Sequence, residues 1–137
     1  MSLTATPTAF FNKTYDETLG LLVEMRDYVA YAEAHDRKSL TPIDGARLSC
    51  ASLRVTARLT QIMAWLLSQK AVHAGEMTTS ELVERNGPLA EIDVCMADED
   101  EQQIASLPDG FRDLLDRSRR LYVRVARLDD MVRRQVA

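Results

Sequence analysis

TPIDGARLSCASLRVTARLTQIMAWLLSQKAVHAG, residues 41–75, is the stretch whose reading decides the fold. Thr41 is an N-cap residue, Pro42 suits the first helical position, and Asp44 sets a carboxylate near the positive end of a helix dipole. After Gly45 neither Pro nor Gly recurs until Gly75. About 33 helical residues at about 1.5 Å each make a rod of roughly 50 Å. Leu48, Ser52, Val55, Leu59, Ile62 and Leu66 alternate at three and four residues, the spacing of a bundle seam. Leu53, Ala57, Met63, Ala64, Leu67 and Ala71 carry the apolar arc well beyond that stripe. The expectation is a helix covered on most sides that shows water one polar ridge: Arg47, Arg54, Gln61 and Ser68 at seven-residue intervals, with Arg58 and Trp65 beside them.

On the N-terminal side, residues 1–6 read as frayed. Phe11, Tyr15, Thr18, Leu22, Met25 and Val29 then recur at helical spacing, with Phe10, Leu21 and Tyr28 on a second apolar line. The first long helix is expected over residues 8–35, with two neighbours. Asp36 to Leu40 is short enough to make helices one and two antiparallel. Beyond Gly75, Thr78 or Thr79 caps a brief helix over residues 79–85, stopped by Asn86-Gly87-Pro88. Residues 87–107 lack a sustained helical period and read as a long acidic loop, with Asp98, Glu99, Asp100 and Glu101 in one run. Phe111, Leu114, Ser118, Leu121, Val125, Leu128 and Val132 define a third long helix over residues 109–135. Its other face carries Arg112, Arg117, Arg119, Arg120, Arg124, Arg127, Arg133 and Arg134 against five aspartates.

These elements add up to one all-α domain over residues 1–137: an antiparallel three-helix bundle with more apolar helix surface than a lone bundle uses, and therefore dimerising. A chain of 137 residues that is 46 % hydrophobic can bury a core without disulfides. Its net charge of −4 argues against a dedicated nucleic-acid binder while leaving room for a local basic face. No basic-then-apolar leader and no membrane-length apolar run is evident, so a cytoplasmic protein is expected.

Catalytic and cofactor patterns are missing from the sequence. His35 and His73 belong to no metal-ligand pair and read as helix-terminal residues facing the negative end of a dipole, so no metal site is expected. Cys50 sits near Arg47 and Arg54 without a His base, and Cys95 falls in the acidic loop, where carboxylates would raise its pKa. No glycine-rich phosphate loop or nucleophile elbow occurs, and no enzyme and no cofactor are expected. Three candidate protein-binding surfaces remain: the Arg47, Arg54, Arg58, Gln61, Trp65 ridge, the Asp98 to Glu101 run, and the Arg120, Arg124, Arg127 face.

Phe10-Phe11-Asn12-Lys13-Thr14-Tyr15-Asp16-Glu17, Arg54-Val55-Thr56-Ala57-Arg58-Leu59 with Met63-Ala64-Trp65-Leu66-Leu67, and Leu121-Tyr122-Val123-Arg124-Val125-Ala126-Arg127-Leu128-Asp129 together resemble the RcdA family of alphaproteobacterial regulators of CtrA degradation. The resemblance runs in order along nearly the whole chain, and its specificity lies in the combination. It implies a homodimeric, non-enzymatic adaptor for the AAA+ protease ClpXP in cell-cycle control. Such an adaptor docks on a protease already primed by another adaptor, and tethers substrates or a further cyclic-di-GMP-dependent adaptor. The resemblance also implies recruitment to a cell pole. Family members tend to continue past the third helix into a polar tail, whereas this sequence ends at Ala137. The alternative reading is a DNA-associated regulator that uses the Arg face of the third helix on phosphates.

Overall fold

A computed structural model describes residues 6–98 and 100–136, and among these there is helix but no strand. The expected frayed segment therefore lies outside the described residues except for Thr6, which opens α1 (Thr6–Asp27). A π-helical turn, Tyr28–Ala32, joins α1 to α2 (Glu33–Arg37). Then come α3 (Pro42–His73), α4 (Thr79–Arg85), a 3-10 turn at Leu89–Glu91, α5 (Asp93–Met96), α6 (Glu101–Ala105) and α7 (Asp109–Arg134).

The ends of α3 form as its sequence dictates. Thr41 accepts from the Asp44 amide at 3.1 Å and Pro42 begins the helix. At the far end Gly75 adopts φ 78°, and the Glu76 and Gly75 amides bond back to Ala71 and Val72, a Schellman closure that needs the left-handed residue. Thr78 and Glu81 cap α4 reciprocally.

The three long helices do not alternate in direction as expected. Lys70 lies over the Tyr15 ring, and Arg37 donates to Gly45 O and Ser49 Oγ, so α1 and α3 are antiparallel. Arg117 grips both oxygens of Glu24 at 2.7 Å and Arg124 pairs with Glu17, so α1 and α7 are antiparallel as well. Consequently α3 and α7 run parallel: Arg58 reaches Leu115 and Ser118, and Trp65 reaches Asp129. Parallel neighbours need a connection that returns along the length of the bundle, and residues 74–108 supply it.

That connection is also not the coil expected over residues 87–107. It forms short helical turns and lies as a strap along the α3 and α7 pair, pinned at two levels. At the upper level, Asp129 accepts from Leu89 N at 3.0 Å, from Trp65 Nε1 at 2.9 Å and from Arg133 Nε at 2.9 Å. Tyr122 Oη donates to Leu89 O at 2.6 Å, and burial pushes that phenol's pKa well up, which keeps it a donor. At the lower level, the fully buried Arg58 donates to Cys95 O, Ala97 O, Leu115 O and Ser118 Oγ at 2.9–3.2 Å.

The core lies between these elements. Leu48, Val55, Leu59, Ile62 and Leu66 are buried on α3, and Phe111, Leu114, Ser118, Leu121 and Val125 on α7. Along α1 and into the π turn the buried line is Phe11, Thr14, Thr18, Leu21, Met25 and Tyr28, which takes Phe11, Thr18 and Met25 from one expected line, Leu21 and Tyr28 from the other and Thr14 from neither, because α3 and α7 press from two sides. Val29, expected in the seam, is 51 % exposed, since the π turn rotates the chain there.

Arg58 binds two carbonyls of the strap and one of α7, so shortening it orphans several buried acceptors at once. Arg58→Met should lower stability by about 3 kcal/mol. Limited proteolysis should then cut within residues 90–107 well before the long helices. A thermal melt and a proteolytic time course check both.

Candidate interaction surfaces

The residues expected to form one polar ridge on α3 separate into two groups. Arg58 and Trp65 are corrections: the expected surface residues are buried, the first by its bonds to the strap and the second by its indole bond to Asp129 and its edge contact with Phe11. A side chain consumed by the core cannot meet a partner. Arg47 is exposed and pairs with Asp44 at 3.0 Å. Arg54 donates to Val94 O at 3.2 Å, so it too serves the strap. Gln61 is half-buried on the wall of a cleft of about 340 Å³ between α3, the 87–92 segment and α7.

The acidic run is taken up in part by local structure. Asp98 pairs with Arg119 at 2.8 Å, Asp100 caps α6 by accepting from Gln102 N, and Glu101 is exposed in the first turn of α6. Glu99 lies outside the described residues. Upstream of the run, Cys95 is fully buried, and burial raises its thiol pKa rather than the carboxylates first expected to do so.

On α7 the arginine face is mostly engaged with the protein's own acids. Arg112 pairs with Asp109, Arg117 with Glu24 and Asp113, Arg119 with Asp98, Arg120 with Asp116, Arg124 with Glu17, and Arg134 with Asp130. The Arg117 hydrogen bonds hold the Glu24 carboxyl below the usual range. Arg127 is exposed and makes no ion pair with a described residue. A face neutralised in this way offers phosphates little field.

What single-site reasoning passed over is the outward side of α3. Ala46, Cys50, Leu53, Ala57, Thr60, Ala64, Leu67 and Ala71 follow one another at alternating intervals of four and three. Six of them are exposed, Leu53 at 70 % and Leu67 at 54 %, while Ala57 and Ala71 are half-buried. Between Arg47 and Lys70 the only charged residues are Arg54 and Arg58, and both turn to the strap. The result is an uncharged stripe about 38 Å long at about 1.5 Å per residue. Its signal was present in the sequence as the excess apolar arc, but the direction in which it faced was not. The antiparallel register brings Leu19 and Val23 of α1, also exposed, level with Thr60 to Leu67.

Among the described residues no group of His, Cys, Asp and Glu is placed to hold a metal ion, and no helix is long and apolar enough to cross a membrane.

The comparisons with known proteins agree with one another. A family profile described as "Protein of unknown function (DUF1465)" matches residues 4–137. The crystal structure of RcdA from Caulobacter crescentus is similar over 89 % of each chain, at 36 % identity and a TM-score of 0.64. Among curated proteins none matches.

Cys95 is buried within the single chain, so it should resist alkylation until denaturant is added, whereas Cys50 is exposed on the outward side of α3 and should react first when the protein is held monomeric by dilution. Intact-mass spectrometry after iodoacetamide treatment reads the difference.

Proposed function

The chain belongs to the DUF1465 family, and on that premise we propose that it is a non-enzymatic adaptor that promotes regulated proteolysis, as a relative of the CtrA-degradation regulator RcdA. The observation that carries this reading is the 36 % identity to RcdA over 89 % of both chains. On this reading the protein tethers substrates, or a cyclic-di-GMP-dependent adaptor, to a primed ClpXP protease. Tethering raises the local concentration of substrate at the protease and needs accessible patches rather than reacting groups. The exposed members of the candidate set among the described residues, Arg47, Asp98, Asp100, Glu101, Arg120, Arg124 and Arg127, are the side chains open to such contacts.

Dimerisation belongs to the same proposal, and the outward stripe of α3 supports it. Small residues alternating with Leu53 and Leu67 let a second helix approach closely, and the lack of charge removes the desolvation cost of covering them. Two copies related by a twofold axis near Thr60 would each present the same stripe. A dimer doubles the attachment points for cargo and protease.

Two measurements test the reading. Degradation of CtrA-like substrates by ClpXP with its priming adaptor should accelerate when this chain is added, and only when the priming adaptor is present. An unchanged rate in every arm, with a folded protein, removes the adaptor reading. Separately, sedimentation should show a species of twice the 15.4 kDa chain mass. Leu53→Glu or Ala64→Glu, both at exposed positions, should convert it to the monomer without loss of helicity. Dimers that survive both substitutions rule out the α3 stripe as the interface.

A further inference from the structure

The cleft of about 340 Å³ between α3, the 87–92 segment and α7 holds a charged pair in its lining. Asp129 is only 4 % exposed and accepts from Trp65 Nε1, Leu89 N and Arg133 Nε, so its charge is met inside the protein. Arg133 gives Nε to that carboxylate and Nη2 to Gly87 O, both at 2.9 Å. Its remaining nitrogen, Nη1, donates to no described residue and is not closed off from solvent. Asp129 and Gly87, which hold the guanidinium, line the cleft themselves, and this sets the free donor at the cleft wall.

The rest of the polar lining divides according to its bonds. Ser68 Oγ is used on Ala64 O, and Asn86 Nδ2 on Leu82 O, which leaves the Asn86 side-chain oxygen. The half-buried Gln61 amide bonds to no described residue, and Glu91 is exposed without an ion pair to one. Ala64, Leu82, Pro88 and Ile92 supply apolar wall among these groups. The cleft therefore offers a held donor, open acceptors and apolar surface, with the guanidinium charge already neutralised.

That combination selects among ligands. An anion would meet Glu91 and Asp129 without a spare cation, because Asp129 already balances Arg133. A cation would lie beside a guanidinium and leave the partly buried Nη1 without an acceptor. A neutral group that both accepts and donates has neither fault. A peptide chain carries that pair at every residue, with side chains to cover the apolar wall.

We propose that this cleft binds an extended, uncharged peptide segment of a partner protein, which gives a main-chain carbonyl to Arg133 Nη1, donates an N–H to the Gln61 side-chain oxygen, and seats small apolar side chains against Pro88 and Ile92. The volume admits about two or three residues, at the lower end of the roughly 300–1,000 Å³ typical of ligand sites. Ala64 belongs both to the cleft and to the outward stripe of α3, so the cleft opens beside the face proposed for the second copy. That the peptide comes from cargo or protease rests on the adaptor reading; the cleft and its chemistry do not.

The test is a titration of the ¹⁵N-labelled full chain, without protease, with a Val-Ala-Val peptide capped as N-acetyl and C-amide. It is run on the wild type and on Leu53→Glu, so that cover by a second copy is separated from absence of a site. Val-Lys-Val and Val-Asp-Val peptides with the same caps, and acetamide, are run in parallel. The neutral peptide should shift the Arg133 Nε–H, Trp65 indole N–H and Gln61 side-chain NH₂ resonances, and both charged peptides should bind about tenfold more weakly. Arg133→Lys keeps a cation beside Asp129 and removes Nη1, and should weaken the neutral peptide about tenfold with helicity retained. Gln61→Leu breaks no internal hydrogen bond to a described residue, so it should keep the melting temperature and still lose affinity.

Four results would overturn the proposal: no shift at millimolar peptide in either background, shifts remote from the cleft, wild-type affinity in both cleft variants, or a charged peptide binding more tightly than the neutral one. A response to acetamide equal to that of the peptide would also overturn it, since the site would then serve a single small amide. Peptide binding without accelerated proteolysis would remove the adaptor reading and leave the cleft standing. Accelerated proteolysis without peptide binding would do the reverse.

Discussion

The guanidinium of Arg58 is the interaction on which the rest of the structure depends. A side chain from the middle of α3 spans to the carbonyls of Cys95 and Ala97 on the strap and to Leu115 O and Ser118 Oγ on α7. Burying that charge is expensive, and the planar fork of donors is what makes it tolerable, because each acceptor lies within hydrogen-bond distance. The bonds hold three segments that helix propensity alone would leave independent. They also set the parallel course of α3 and α7, for the strap must run back between the two ends before α7 can begin.

With the strap in place, the two flanks of α3 become different surfaces. One flank is occupied by Arg54, Arg58 and Trp65 and lies under the strap or against Asp129. The adjoining outward side, from Ala46 to Ala71, carries no charged side chain, and Ala46, Cys50, Leu53, Thr60, Ala64 and Leu67 on it are exposed. The upper clamp around Asp129 has a similar effect at the bundle end. Trp65 is held there by its indole, with its edge against Phe11, so that end of α3 is fixed against both α1 and α7.

Periodicity made the three long helices legible, together with the Thr41 and Thr78 caps and the stop at Gly75, since these are local features set within a few residues. The buried faces of α3 and α7 were legible for the same reason. The strap was not. Its turns are only three to five residues long and are stabilised by Leu89, Cys95 and Leu107 reaching a distant core, a non-local effect that no window of sequence contains. Arg58 and Trp65 were misplaced for a related reason. On a helical wheel they stand at the polar boundary, and polarity suggests solvent unless a buried acceptor waits across the interface. Val29 escaped because a single π turn changes the phase of everything after it.

By itself the sequence determined an all-helical chain, the positions of its long helices, the excess of apolar helix surface and the resemblance that points to a protease adaptor. These follow from residue type and spacing, which act over one or two turns. Only the tertiary structure decided the direction of α7, the seating of the strap, which arginines are spent inside, and where the uncharged stripe opens to solvent. Those outcomes depend on pairing a buried donor with an acceptor some 40 to 60 residues away, as Arg58 does with Cys95 and Leu115. Such a pairing has no local signature, because its energy appears only when the distant partner closes the water out.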